Sequence, residues 1–137
     1  MALTLSSGRQ YALTARAIIL FNDSYTDSVA EPVIQLPVNA IVTGGYIDVV
    51  TVFNNRTVAS LDVGDSTTGD RYTGTIINML TATPGTVQAL DVRNYISNGD
   101  PITATIIESG GTAATQGEVH IVVEYIMTGR AHEAQTN

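Results

Sequence analysis

The sequence predicts an all-β chain folded as a single-domain jelly-roll or Greek-key β-sandwich of about eight antiparallel strands. Three observations carry that expectation. The 137 residues include 14 Val, 13 Ile and 19 Thr, and such β-branched side chains are stiff at χ1 and pack well on a pleated surface. Clusters of Gly, Pro, Asn and Asp recur at spacings of roughly 8–15 residues, the punctuation of short strands. No window keeps an apolar period of about 3.6 residues through three helical turns without meeting a Gly or Pro. With 44% hydrophobic and 14% charged residues, the chain is too apolar to remain disordered.

The elements follow in order from periodicity and turn chemistry. Residues 10–21 alternate weakly and run into a polar loop that begins at Asn22-Asp23-Ser24 and reaches Glu31. Residues 32–36 are bracketed by Pro32 and Pro37, which suits an edge strand. Residues 40–53 form a long strand whose Gly44-Gly45 pair predicts a bulge or tight bend. Asn54-Asn55 predicts a hairpin into a strand over 57–63, followed by the polar loop 64–74. Residues 75–80 read as a strand or a single helical turn, and 86–92 as a strand after the Pro84-Gly85 turn. Asn98-Gly99-Asp100-Pro101 is a strong turn signal, because Asn and Gly accept positive φ. Residues 102–108 and 117–127 complete the set around a loop at 109–116. The long loops 22–31 and 64–74 resemble crossovers, which favours Greek-key topology. The division expected is an N-terminal arm over 1–9, the sandwich over 10–128 and a polar tail over 129–137.

Charge narrows the function. Thirteen acids face six bases, a net charge of −7, and every base is Arg. A phosphate-binding face needs clustered cations, so neither nucleic acid nor an anionic membrane is an expected partner. Cys is absent, which excludes disulfides, thiolate nucleophiles and Cys-ligated metals. The N-terminal residues lack the basic and apolar regions of a signal peptide, and the longest apolar runs fall far short of the ~20 residues that span a bilayer. The expectation is a soluble product made in the cytoplasm.

Candidate chemistry is sparse. In the last strand, alternation puts Glu118, His120 and Glu124 on one face, opposite an apolar face of Val119, Ile121, Val123, Tyr125 and Met127. A carboxylate–imidazole–carboxylate row is a weak candidate for a metal or for acid–base work. The plainer reading is the wet side of a half-buried strand, or a row facing a neighbouring subunit. The acidic loop 62–70 has oxygen ligands of the kind Ca²⁺ takes, but Asp, Ser and Gly build ordinary turns too. No G-x-S-x-G or phosphate loop occurs. No catalytic residue and no cofactor is expected. Of six Tyr, Tyr25 and Tyr72 fall in loops, where stacking on a ligand competes with packing.

One pattern is recognisable: Leu36-Pro37-x-x-Ala40-x-Val42-x-Gly44-Gly45-x-Ile47-x-Val49-x-Thr51-x-Phe53, then Ala59-x-Leu61-x-Val63-Gly64-Asp65 and Asp70-Arg71-Tyr72, and finally the run from Gly117 to Tyr125. It resembles the small jelly-roll proteins of tailed bacteriophages, notably capsid decoration or cement proteins. The resemblance implies a structural virion protein on the capsid exterior. Such a protein binds the major capsid protein of the assembled phage head as a homo-oligomer, a trimer being expected, and has no catalytic residues. Residues at the N-terminus resemble arms that reach neighbouring subunits. Because Arg and Tyr anchor interfaces, Arg9, Tyr11, Arg56 and Arg130 are the candidate partner contacts. The alternative is a glycan- or receptor-binding jelly-roll module of a virion, for which Tyr72 beside Asp65 and Asp70 is the available hint.

Overall fold

The computed structural model describes residues 11–92 and 96–128, and every regular element among them is a strand. The expected arm, tail, Arg9 and Arg130 lie outside the described residues. In chain order the strands are β1 (Leu13–Leu20), β2 (Ala30–Ile34), β3 (Val38–Thr51), β4 (Val58–Asp65), β5 (Ile77–Asn78), β6 (Val87–Ala89), β7 (Ile96–Asn98), β8 (Ile102–Ser109) and β9 (Glu118–Met127). They form two sheets, one ordered β1-β9-β3-β6 with β7 also on β3, the other ordered β2-β8-β4-β5. Every pairing is antiparallel.

Strands β6 and β7 both lie along the edge of β3 that faces away from β9, and between them Leu90 N donates to Gly45 O at 3.0 Å. Together they act as one interrupted strand, so each sheet has four positions and the whole is a jelly roll. The predicted fold class is therefore the observed one. The predicted connections fare less well. Asn54-Asn55 does not close a hairpin, because β3 and β4 lie in different sheets. Asn55, at φ 63°, turns the chain across the sandwich, and its carbonyl accepts from Thr112 N at 2.9 Å. Asn54 Oδ1 accepts from Thr115 N at 2.8 Å, which ties the turn to the loop before β9. The 64–74 loop is the reverse case: it joins β4 to β5 within one sheet and is no crossover.

The core follows from alternation with one deliberate break. On β9, Val119, Ile121 and Val123 are fully buried, each side chain contributing about 1.5–3 kcal/mol relative to exposure. On β3 the buried residues are Ala40 and Val42, then Ile47 and Val49, so the inward phase changes from even to odd. The change happens at Thr43, which is squeezed out of register where Val42 opposes Tyr125 and Gly44 opposes Glu124. A bulge inserts one unpaired residue and so flips which face the following side chains take. Gly45, the residue after it, faces inward at φ 136° with its backbone pressed on β9. A Cβ there would lie 2.2 Å from the carbonyl oxygen of Val122 and 2.8 Å from Leu90 Cδ1.

Gly45→Ala is accordingly expected to cost more than about 1 kcal/mol, measured as a lower urea midpoint with an unchanged slope. An unchanged midpoint contradicts this account of the bulge.

Candidate functional site

The outer face of the five-stranded sheet is the surface on which the predicted residues gather. Register places Ile18, His120, Asp48 and Val87 in one row across β1, β9, β3 and β6. The next row holds Arg16, Val122, Tyr46 and Ala89. Ile18 (44% exposed), Tyr46 (39%), Val87 (53%), Leu20 and Val50 all present apolar surface here. The face is mixed, with these apolar side chains interleaved with His120, Asp48 and Arg16. The opposite sheet is partly covered, because the loop after β4 folds back over Gly64. A Cβ on Gly64 would meet Thr68 O at 2.1 Å.

Within the exposed face, His120 Nε2 shares a 2.6 Å hydrogen bond with Glu118 Oε1. Asp48, directly across from His120, has a buried Oδ1 without a hydrogen-bond partner. Glu124 stands apart: six residues along an extended strand from Glu118 is about 20 Å, and its Oε1 sits 3.5 Å from Thr43 Oγ1. The structure thus brings Glu118 and His120 together and leaves Glu124 out. Among the described residues no group of three His, Asp or Glu side chains gathers in a metal-holding arrangement.

The acidic loop is organised around its own backbone. Asp65 Oδ1 accepts from the amides of Thr67 at 2.9 Å and Thr68 at 2.7 Å, while Oδ2 takes Nε of Arg71. This is an Asx turn closed by an ion pair, and its carboxylate is buried and committed. Thr73 Oγ1 accepts from Val63 N at 3.1 Å and donates to Asp62 Oδ1 at 3.2 Å. Burial raises the pKa of Asp62 above the ordinary 3.8; the Thr73 bond opposes this and the nearby Asp70 charge adds to it. Tyr72 is 3% exposed and belongs to the core. The hint of an aromatic platform beside Asp65 and Asp70 is therefore overturned: Tyr72 N bonds Val63 O at 2.9 Å, and its ring fills the sandwich.

Of the candidate partner contacts, Tyr11 is 76% exposed. Arg56 is engaged within the chain, its Nε 3.2 Å from Oε2 of Glu108. The Tyr25 hydroxyl beside this pair is held far above its ordinary value, first by burial and then by Glu108. Arg16 is the residue that sequence reasoning passed over. It is exposed on β1, and among the described residues Arg56 and Arg71 have carboxylate partners while Arg16 has none. The available signal was its position as the lone charge in residues 13–20.

Two stability outcomes follow. Asp65→Ala is expected to cost about 1–3 kcal/mol, since it strands the amides of Thr67 and Thr68 and removes the ion pair to Arg71; wild-type stability would contradict the staple. For Asp62 the folded pKa is raised, so its contribution is fully present below pH 3.8 and is lost as pH rises through the folded value. Asp62→Asn keeps an acceptor for Thr73 and removes the charge, so it is expected to stabilise at pH 7 by up to about 0.5 kcal/mol and to bring no gain at pH 3. Thermal melts at the two pH values decide, and a variant less stable at pH 7 contradicts the assignment.

No family model matches the sequence, and no curated protein matches it. Solved structures do match the fold. A chain of the capsid asymmetric unit of cyanophage Pam1 superposes with a TM-score of 0.64 at 19% identity, covering 93% of this chain and 91% of that one. A chain from the acidic stable capsid structure of Helicobacter pylori bacteriophage KHP30 superposes with a TM-score of 0.59 at 17% identity, covering 85% and 87% of the two chains. The jelly roll described above is thus the fold of chains found in phage capsid structures.

Proposed function

We propose that the protein is a structural component of a phage virion that binds the outer surface of the assembled capsid and stabilises it, as a decoration or cement protein. The observation that carries this reading is the near end-to-end likeness to a chain from the Pam1 capsid. The exposed Ile18, Tyr46 and Val87 among polar groups on the face over β1, β9, β3 and β6 support it, since large exposed apolar side chains are suited to contact with other proteins. The acidic charge also fits a position on the outside of the shell, away from packaged DNA. The partner in this reading is the major capsid protein, and the working state is a homotrimer. No side chain is assigned a catalytic part.

The physics of the role is mass action. A protein that binds the assembled lattice in preference to free subunits shifts the equilibrium toward the lattice. In a trimer, several modest contacts combine through effective concentration, so no single interface has to be large.

The reading is tested by mixing the purified protein with empty, expanded heads of the phage that encodes it. Co-sedimentation at saturating stoichiometry and a rise in the temperature at which the heads disrupt are expected. In free solution, sedimentation is expected to give three times the 14.5 kDa chain mass. Heads that neither retain the protein nor gain stability overturn the proposal, and a strict monomer removes its trimer.

A further inference from the structure

The four outer edges of the two sheets are treated unequally. β2 contains Pro32 and a register shift between Pro32 and Ile34, and both disrupt pairing with a further strand. β5 is two residues long, and β6 and β7 are three each. β1 alone is an unbroken eight-residue edge.

Its free groups can be identified. Phe21 N donates to Gly117 O at 3.0 Å, so in the shared register the odd residues of β1 make the bonds to β9. The N–H and C=O groups of Thr14, Arg16 and Ile18 therefore point away from β9, with no partner among the described residues. Leu20 marks the end of the open run: its N–H is taken by Asp23 Oδ2 at 2.7 Å and its carbonyl by Asp23 N at 3.0 Å.

Two further features lie along this edge. On the outer face stands Arg16, with no carboxylate partner among the described residues. On the inner side, between β1 and β2, lies a cleft of about 280 Å³ lined by apolar Ile19, Val29, Val33 and Ile106 and also by the acidic Asp23 and Glu31. Added strands alternate their side chains between the two faces. A residue opposite Arg16 shares the outer face, and residues opposite Ala17 and Ile19 point inward, toward the cleft at Ile19.

We infer that β1 is a docking edge for an extended segment of the shell protein, which adds as a further strand with a carboxylate opposite Arg16 and, beside Ala17 and Ile19, apolar side chains directed to the cleft. Backbone bonds supply the affinity, while the cleft and Arg16 select the sequence. This inference rests on the proposed function and specifies how the shell is held.

The test uses the same empty heads, with affinity read by co-sedimentation and exposure of β1 read by amide hydrogen exchange. On binding, the amides of Thr14, Arg16 and Ile18 are expected to become protected. Arg16→Glu is expected to weaken binding at least tenfold and Arg16→Lys much less. Ile18→Pro removes an outward N–H without touching the β1–β9 ladder and is expected to abolish binding. Arg16→Glu alters no backbone group and keeps the test decisive if Ile18→Pro fails to fold. If wild type, Arg16→Glu and Ile18→Pro bind alike and these amides stay open, the inference is overturned and the capsid-binding role stands. If the wild type itself does not bind, both fall. Protection already present in the free protein and rising with its concentration assigns the edge to a second copy and overturns the inference as well.

Discussion

The bulge at Thr43 is the constraint on which the larger sheet depends. β3 is fourteen residues long and must keep its apolar side chains inward along its whole length, although its buried residues change phase between Val42 and Ile47. One unpaired residue absorbs that change, and Gly45 permits the close backbone approach that goes with it. Without the bulge, either Ala40 and Val42 or Ile47 and Val49 would turn outward. The same phase decides what the outer face shows, including the row of Ile18, His120, Asp48 and Val87.

The two sheets then diverge in what they do with their outer faces. The β2-β8-β4-β5 sheet has the loop after β4 laid over Gly64 and stapled through Asp65, Arg71 and Thr73. Its acidic residues are thereby spent on structure. The other sheet keeps exposed apolar side chains on its outer face and, among the described residues, an open β1 edge, features that favour association with other chains. Loop placement thus covers part of one sheet's outer face and, among the described residues, leaves the other sheet's outer face exposed.

Connectivity has a kinetic consequence. Apart from β4 with β5, and the two pieces β6 and β7 that share β3, successive strands lie in opposite sheets, and the central strand β9 comes last in the chain. Most native pairings are therefore distant in sequence, and a fold dominated by non-local pairing forms slowly. The sheet with the exposed face cannot be completed until β9 slots between β1 and β3.

What was legible from the residues alone was whatever is local. β-branched composition and two-residue alternation decided the fold class, the approximate strands and the two faces of β9; the Gly44-Gly45 pair marked the bulge. The Asn54-Asn55 turn was visible, but a turn records only that the chain reverses, and its destination in the opposite sheet depends on contacts with residues 112–116. Tyr72, Asp65 and Arg56 read alike as exposed polar or aromatic candidates, and only the folded structure showed them engaged by the sandwich core, Arg71 and Glu108. The open edge of β1 was likewise invisible, because an edge exists only once every other strand has found its neighbour, whereas Arg16 was visible only as the lone charge of residues 13–20. Periodicity is a property of a segment and was readable there; pairing, burial of charge and the unpaired edge are properties of the assembled sheets.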